Sequence, residues 1–287
     1  MTSVQAKLTR LSPRLAGELL QRNTHNRPAT AARVTQYATD MRNGAWVLNG
    51  EAIKIAQDGR VLDGQHRLMA VLEADVTIET LVITGLDLQA QETMDQGQPR
   101  SFGDTLKLRG EKNYTVLAAA TAIVCVYERD GVPHRESGAA RPSIPQLSRT
   151  LERNPDLRES VELALGLIRP WLPVSQIAAL HYLFAIADTD NARAFVTRLA
   201  TGEQLSAADP IYVLRERLIS EHANPETSLN TKVKLAFLVR TWNAFMRGET
   251  IRRLVFQPGG ANPDRFPQIH GLAGRTQTGA GELAEAA

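Results

Sequence analysis

The residues best suited to chemistry in this chain stand together as Asp63-Gly64-Gln65-His66-Arg67. Val61-Leu62 precedes them and Leu68-Met69 follows, so four polar side chains interrupt an apolar setting. Burying them is costly unless they are used. Arg67 brings a planar, permanently charged fork suited to phosphate. His66 can donate a hydrogen bond to a phosphate oxygen or carry a proton. Asp63 can hold Mg²⁺ or take a proton from an attacking hydroxyl. Gly64 lets the backbone turn and lets a ligand come close. The plainer alternative is an Asp-Gly turn in which Asp63 caps a helix and pairs with Arg67.

These residues need a corner to hold them. Ala52-Ile53-Lys54-Ile55-Ala56 alternates like a strand, Asp58-Gly59 signals a hairpin turn, and Val61-Leu62 resumes the strand. Leu68, Met69, Val71 and Leu72 recur at helical spacing over residues 65–73, and residues 77–84 read as another strand. The motif therefore sits where a strand exits into a helix. A helix start leaves backbone N–H groups unpaired and favours negative charge, which makes an anion pocket.

Upstream, Ser12 caps a helix over residues 12–20 with Pro13 in its first turn, and a second helix is expected over 29–43. A short helix is expected over 89–94. From about residue 112 the strand signals fade. Helices are expected over 116–129, 144–153, 158–168, 174–188, 191–199, 210–222 and 231–247, with a polar linker over 131–142. The fold class expected is α+β: a small mixed-sheet domain over residues 1–112, an all-helical domain over 113–257, and a flexible Gly/Pro/Ala-rich tail over 258–287.

The motif and its order of elements resemble the ParB/sulfiredoxin-like superfamily, whose members carry a Gly-x-x-Arg core at a strand-to-helix corner. The Asp-Gly-x-His-Arg form is similar to the ParB-fold serine kinases and to ParB-like proteins of actinobacterial phages and mobile elements. The helix at 29–43 followed by Gly44-Ala45-Trp46, the hairpin, and Met94-Asp95-x-Gly-x-x-Arg100-Ser101 extend the resemblance over about residues 20–113. It implies a small mixed-sheet domain that binds the phosphates of ATP, ADP or CTP with Gly64, Gln65, His66 and Arg67. Asp63 is then the metal or catalytic residue beside catalytic His66 and Arg67. Arg100 and Ser101 form a second wall, Asp95 is a second metal ligand, and Arg27 is an additional phosphate contact. Mg²⁺-dependent phosphoryl transfer or nucleotide hydrolysis follows, acting on a small hydroxyl compound, DNA or a modified base. Gln65 stands where sulfiredoxins carry their Cys, which argues against sulfinic-acid reduction. Partition proteins have Glu-Arg-Arg where this chain has Gln-His-Arg. A nucleotide-switched DNA-binding regulator and a nuclease are the alternatives.

Composition sets outer bounds. Of 287 residues, 43% are hydrophobic and 5% aromatic, enough for an aliphatic core. The 33 basic and 31 acidic residues nearly cancel, so total charge predicts no nucleic-acid partner. Lys232, Lys234, Arg240, Arg247, Arg252 and Arg253 could still line a DNA surface. The single cysteine, Cys125, excludes an internal disulfide and reads as a small buried hydrophobe. No signal peptide or membrane span is seen, so a cytoplasmic location and no membrane partner are expected. The oligomeric state is left open, a homodimer included.

Overall fold

The structure, a computed structural model, describes residues 3–272 apart from 25, 27, 95–99, 137, 225, 227 and 228. Among the described residues it holds a four-stranded mixed sheet and eleven α-helices, with the sheet in the N-terminal part. The chain divides into two compact units. One holds residues 1–100 with 137–146, the other 101–136 with 147–287.

In the first unit the strands are β1 (Gln5–Leu11), β2 (Ala52–Ala56), β3 (Val61–Asp63) and β4 (Ile78–Leu86), in the order β1-β4-β2-β3. β1 runs antiparallel to β4 with Leu8 opposite Leu81, β2 runs parallel to β4, and β3 closes an antiparallel hairpin with β2. β1 was not foreseen, and its burial explains why. All its residues except Thr9 and Leu11 are exposed, so the ladder to β4 holds it and no apolar face announces it.

The β2–β3 hairpin turns through residues 57–59. Gly59 N donates to Ala56 O at 3.0 Å, Ala56 N donates to Arg60 O at 2.8 Å, and Gly59 has φ +86°. This is a type I turn closed by a left-handed glycine. Lys54 pairs with Asp63 and Ile55 with Val61, so Leu62 is an extra residue, a bulge that re-aims the end of β3.

Three helices cover the sheet: α1 (Pro13–Leu20), α2 (Ala31–Arg42) and α3 (Gln65–Ala74). Ser12 caps α1 through Leu15 N at 3.3 Å, as the sequence suggests. Leu11, Ala38, Ile53, Leu68 and Val71 are fully buried and form the centre of an aliphatic core, with Tyr37 and Trp46 packed edge-to-face at its margin. The later part of the polar linker joins this unit. Ser143 Oγ donates to buried Asp40 at 2.7 Å, and Gln36 donates to Arg141 O at 2.9 Å.

The second unit is helical: α4 (Phe102–Leu108), α5 (Tyr114–Asp130), most of α6 (Ile144–Arg153), α7 (Leu157–Gly166), α8 (Val174–Ala187), α9 (Thr189–Thr201), α10 (Pro210–Ala223) and α11 (Thr231–Arg247). α4 was not foreseen. Gly103 in its first turn weakens the helix signal, and a reciprocal Ser101–Asp104 cap restores it. Trp242, stacked on Phe184 at 4.4 Å, centres the core. Within the tail expected to be flexible from residue 258, residues 264–272 contact α11, where Arg240 pairs with Asp264. Ile269 and Leu272 are buried, and Asn243 binds Gln268 O at 2.7 Å and His270 N at 2.8 Å. Two apolar anchors within the Gly/Pro-rich stretch account for the difference. No helix among the described residues is long and apolar enough to cross a membrane.

Candidate functional site

Asp63 ends β3, Gly64 is the left-handed N-cap, and Gln65, His66 and Arg67 form the first turn of α3. Gly64 has no side chain with which to cap this helix start. Asp63 is an ion-pair acceptor. Lys54 Nζ lies 3.0 Å and Arg67 Nη2 3.4 Å from its Oδ2. The three side chains are 24%, 11% and 16% exposed for Lys54, Arg67 and Asp63, so the triad is sheltered but reaches solvent. It carries two positive charges and one negative.

Arg67 uses only one arm of its fork here. Its Nη1 is buried and finds no acceptor. A buried donor left unmade costs about 1–3 kcal/mol. An acceptor oxygen arriving at Nη1 recovers that cost, and a negative charge also answers the surplus cation.

The neighbouring polar residues have structural duties. Gly64 has φ +104°, and a Cβ there would lie 2.5 Å from Ile53 Cδ1. The space a side chain would take at Gly64 is filled by Ile53 of β2, so the glycine serves close strand packing. Gln65 is buried and takes a hydrogen bond from Asn23 at 3.1 Å. His66 Nε2 accepts the backbone N–H of Thr30 at 3.0 Å, which places a proton of the neutral ring on Nδ1. Any hydrogen bond that neutral His66 donates comes from Nδ1. Asn26 donates to Val61 O at 2.7 Å and accepts from Gln91 at 2.9 Å, and Gln91 also reaches Leu62 O at 3.2 Å. The loop before α2 is thus laced to the β3–α3 corner.

Arg100 is exposed at the end of the first unit. Ser101 belongs to the second unit, where its hydroxyl caps α4 and donates to Asp104 at 2.7 Å. Arg27 and Asp95 lie outside the described residues. Among the described residues no three His, Cys, Asp or Glu side chains gather as a metal site. Mg²⁺ needs no such cage, since one or two carboxylates with substrate phosphates suffice. Both cations meet Asp63 at Oδ2, so Oδ1 is the oxygen suited to such an ion. Beside two fixed cations, Mg²⁺ fits only together with the negative charge of phosphates.

Lys54 was missed by sequence reasoning, though the signal was present. Counting back from the Asp58-Gly59 turn as a two-residue loop pairs residue 54 with residue 63, and the bulge at Leu62 preserves that pairing. In the second unit, Lys232, Lys234, Arg240 and Arg247 pair with Glu136, Glu221, Asp264 and Glu249. Of the six cations considered for DNA, these four are engaged, and Arg252 and Arg253 are exposed. A groove of that unit lined by Gly110, Glu111, Asn113 and Arg158 is bridged by the Arg158–Glu111 pair at 2.5 Å and includes none of the corner residues.

The chain matches no protein-family model, no curated protein and no solved structure.

Proposed function

We propose that this chain binds the phosphates of a nucleotide, ATP, ADP or CTP, at the β3–α3 corner and uses it with Mg²⁺ for phosphoryl transfer or hydrolysis. The observation that carries the proposal is the buried Arg67 Nη1 with no acceptor, set beside a surplus positive charge. The N-terminal end of α3 adds its dipole. The ParB/sulfiredoxin-like resemblance supports the same corner and the same class of ligand.

Arg67 donates from both arms to phosphate oxygens and stabilises charge on the transferring group. His66 serves mainly to hold the corner through Thr30, with Nδ1 as its donor. Bound Mg²⁺ would neutralise charge on the phosphates, with Asp63 as its protein ligand. In transfer, the terminal phosphoryl leaves the nucleotide for a hydroxyl or water oxygen, whose proton passes to solvent. DNA as acceptor draws least support, because four of the six cations considered for it are paired within the second unit.

Equilibrium dialysis with labelled ATP, ADP and CTP, in Mg²⁺, tests binding. The wild type retains at least one nucleotide and Arg67→Gln retains none. Equal retention by both proteins removes the site from this corner. For turnover, Asp63→Ala abolishes phosphate release while remaining folded; a fully active variant would sink the catalytic role.

A further inference from the structure

Lys54 and Arg67 come from different elements, β2 and α3, yet both end on one oxygen, Oδ2 of Asp63. Lys54 is set there by backbone pairing, directly across the ladder from Asp63. Arg67 is set there by the first turn of α3, four residues on from Asp63. Two cations fixed by separate parts of the fold thus converge on a single point. A carboxylate oxygen occupies that point, and a phosphoryl oxygen has the same charge sign and the same acceptor chemistry. The carboxylate is a poor match for the whole site, because Arg67 donates to it from Nη2 alone and Nη1 stays without an acceptor. A phosphate, with three oxygens, can take both arms of the fork and the ammonium at once.

Presupposing phosphate binding at this corner, we infer that Lys54 is a second phosphate-binding cation and that Asp63 is an internal stand-in for the ligand's oxygen, displaced when phosphate binds. Held on the same chain, Asp63 competes at high effective concentration. A singly charged ligand therefore gains little over it. A di- or triphosphate gains more contacts than the carboxylate supplies, and a divalent cation helps by taking the displaced carboxylate. The ligand class selected is a nucleoside di- or triphosphate with its metal, rather than a monoester or a carboxylate. The same Asp63 contact explains how two cations stay close together in the free protein without repelling one another.

Calorimetric titration of the full chain with inorganic pyrophosphate, with and without Mg²⁺, tests this. Asp63→Asn keeps the shape and removes the competing charge. It should bind metal-free pyrophosphate about tenfold more tightly than wild type, a change of roughly 1.4 kcal/mol, and gain nothing from Mg²⁺. Lys54→Gln should bind about tenfold more weakly. Wild-type binding with no gain in a cooperatively folded Asp63→Asn overturns the stand-in role. If Asp63→Asn does not fold, Lys54→Gln decides, and an affinity equal to wild type overturns the inference. If wild type binds neither pyrophosphate nor any nucleotide, nucleotide binding itself fails and the inference falls with it.

Discussion

The backbone N–H of Thr30 donates to Nε2 of His66 at 3.0 Å, tying the start of α2 to the first turn of α3. Thr30 is the N-cap residue of α2, and its side chain makes no capping bond. The imidazole holds the loop end instead. His66→Phe should therefore lower stability by about 1 kcal/mol, the usual worth of one such bond. Urea unfolding measures it; an unchanged midpoint would mean the contact contributes nothing.

Gly64 makes a stricter prediction. Its φ of +104° and the 2.5 Å approach of Ile53 Cδ1 to an added Cβ both oppose any side chain. Gly64→Ala should cost about 2–4 kcal/mol from backbone strain and overpacking together. Ile53→Val in the same chain should return only part of that loss, since the strain in φ remains. Full recovery in the double variant would show that the clash alone matters.

The scaffold of the corner was legible because its signals are local. Ser12-Pro13, the Asp58-Gly59 turn and the change from period two to helical spacing after Gly64 each rest on a few adjacent residues. β1 was not legible, because an exposed edge strand has no buried face to imprint on its sequence. The duties of Gln65 and His66 were hidden for another reason. Their partners Asn23 and Thr30 stand 42 and 36 positions away, and nothing local announces such pairings. Lys54 lay between these cases, recoverable by counting register across the hairpin.

Acid should destabilise the second unit through His181. This side chain is buried, its Nδ1 lies 2.9 Å from Ser160 Oγ, and its Nε2 has no partner. Burial, helped by the charge of Arg193, pushes its pKa down from 6.5 to about 4. The folded protein keeps the ring neutral while the unfolded chain takes up a proton below 6.5. The stability is thus fully present above pH 6.5 and is lost as pH falls towards 4, up to about 3 kcal/mol. His134, also shifted down by burial, acts with the same sign. Unfolding curves between pH 7 and 4 should flatten in His181→Asn; a slope equal to wild type would assign the acid sensitivity elsewhere.

The segment after α11 should contribute to stability. Ile269 is 1% exposed and sits beside the Asn243 contacts to Gln268 and His270. Ile269→Ala should cost about 2–5 kcal/mol, read as a fall in melting temperature of the helical unit. A variant as stable as wild type would show that residues 258–272 are not anchored.

Thermal shift reads nucleotide binding at Arg67 without an assumption about turnover. Wild type and Arg67→Lys are melted in Mg²⁺ with ATP, ADP, CTP or GTP, the lysine keeping the charge and losing the two-armed fork. A ligand at about 100 times its dissociation constant stabilises by roughly 2.7 kcal/mol. At least one nucleotide should raise the wild-type melting temperature by several degrees, and Arg67→Lys should lose most of that rise. No shift with any nucleotide, or an equal shift in the variant, would contradict a phosphate site at this corner.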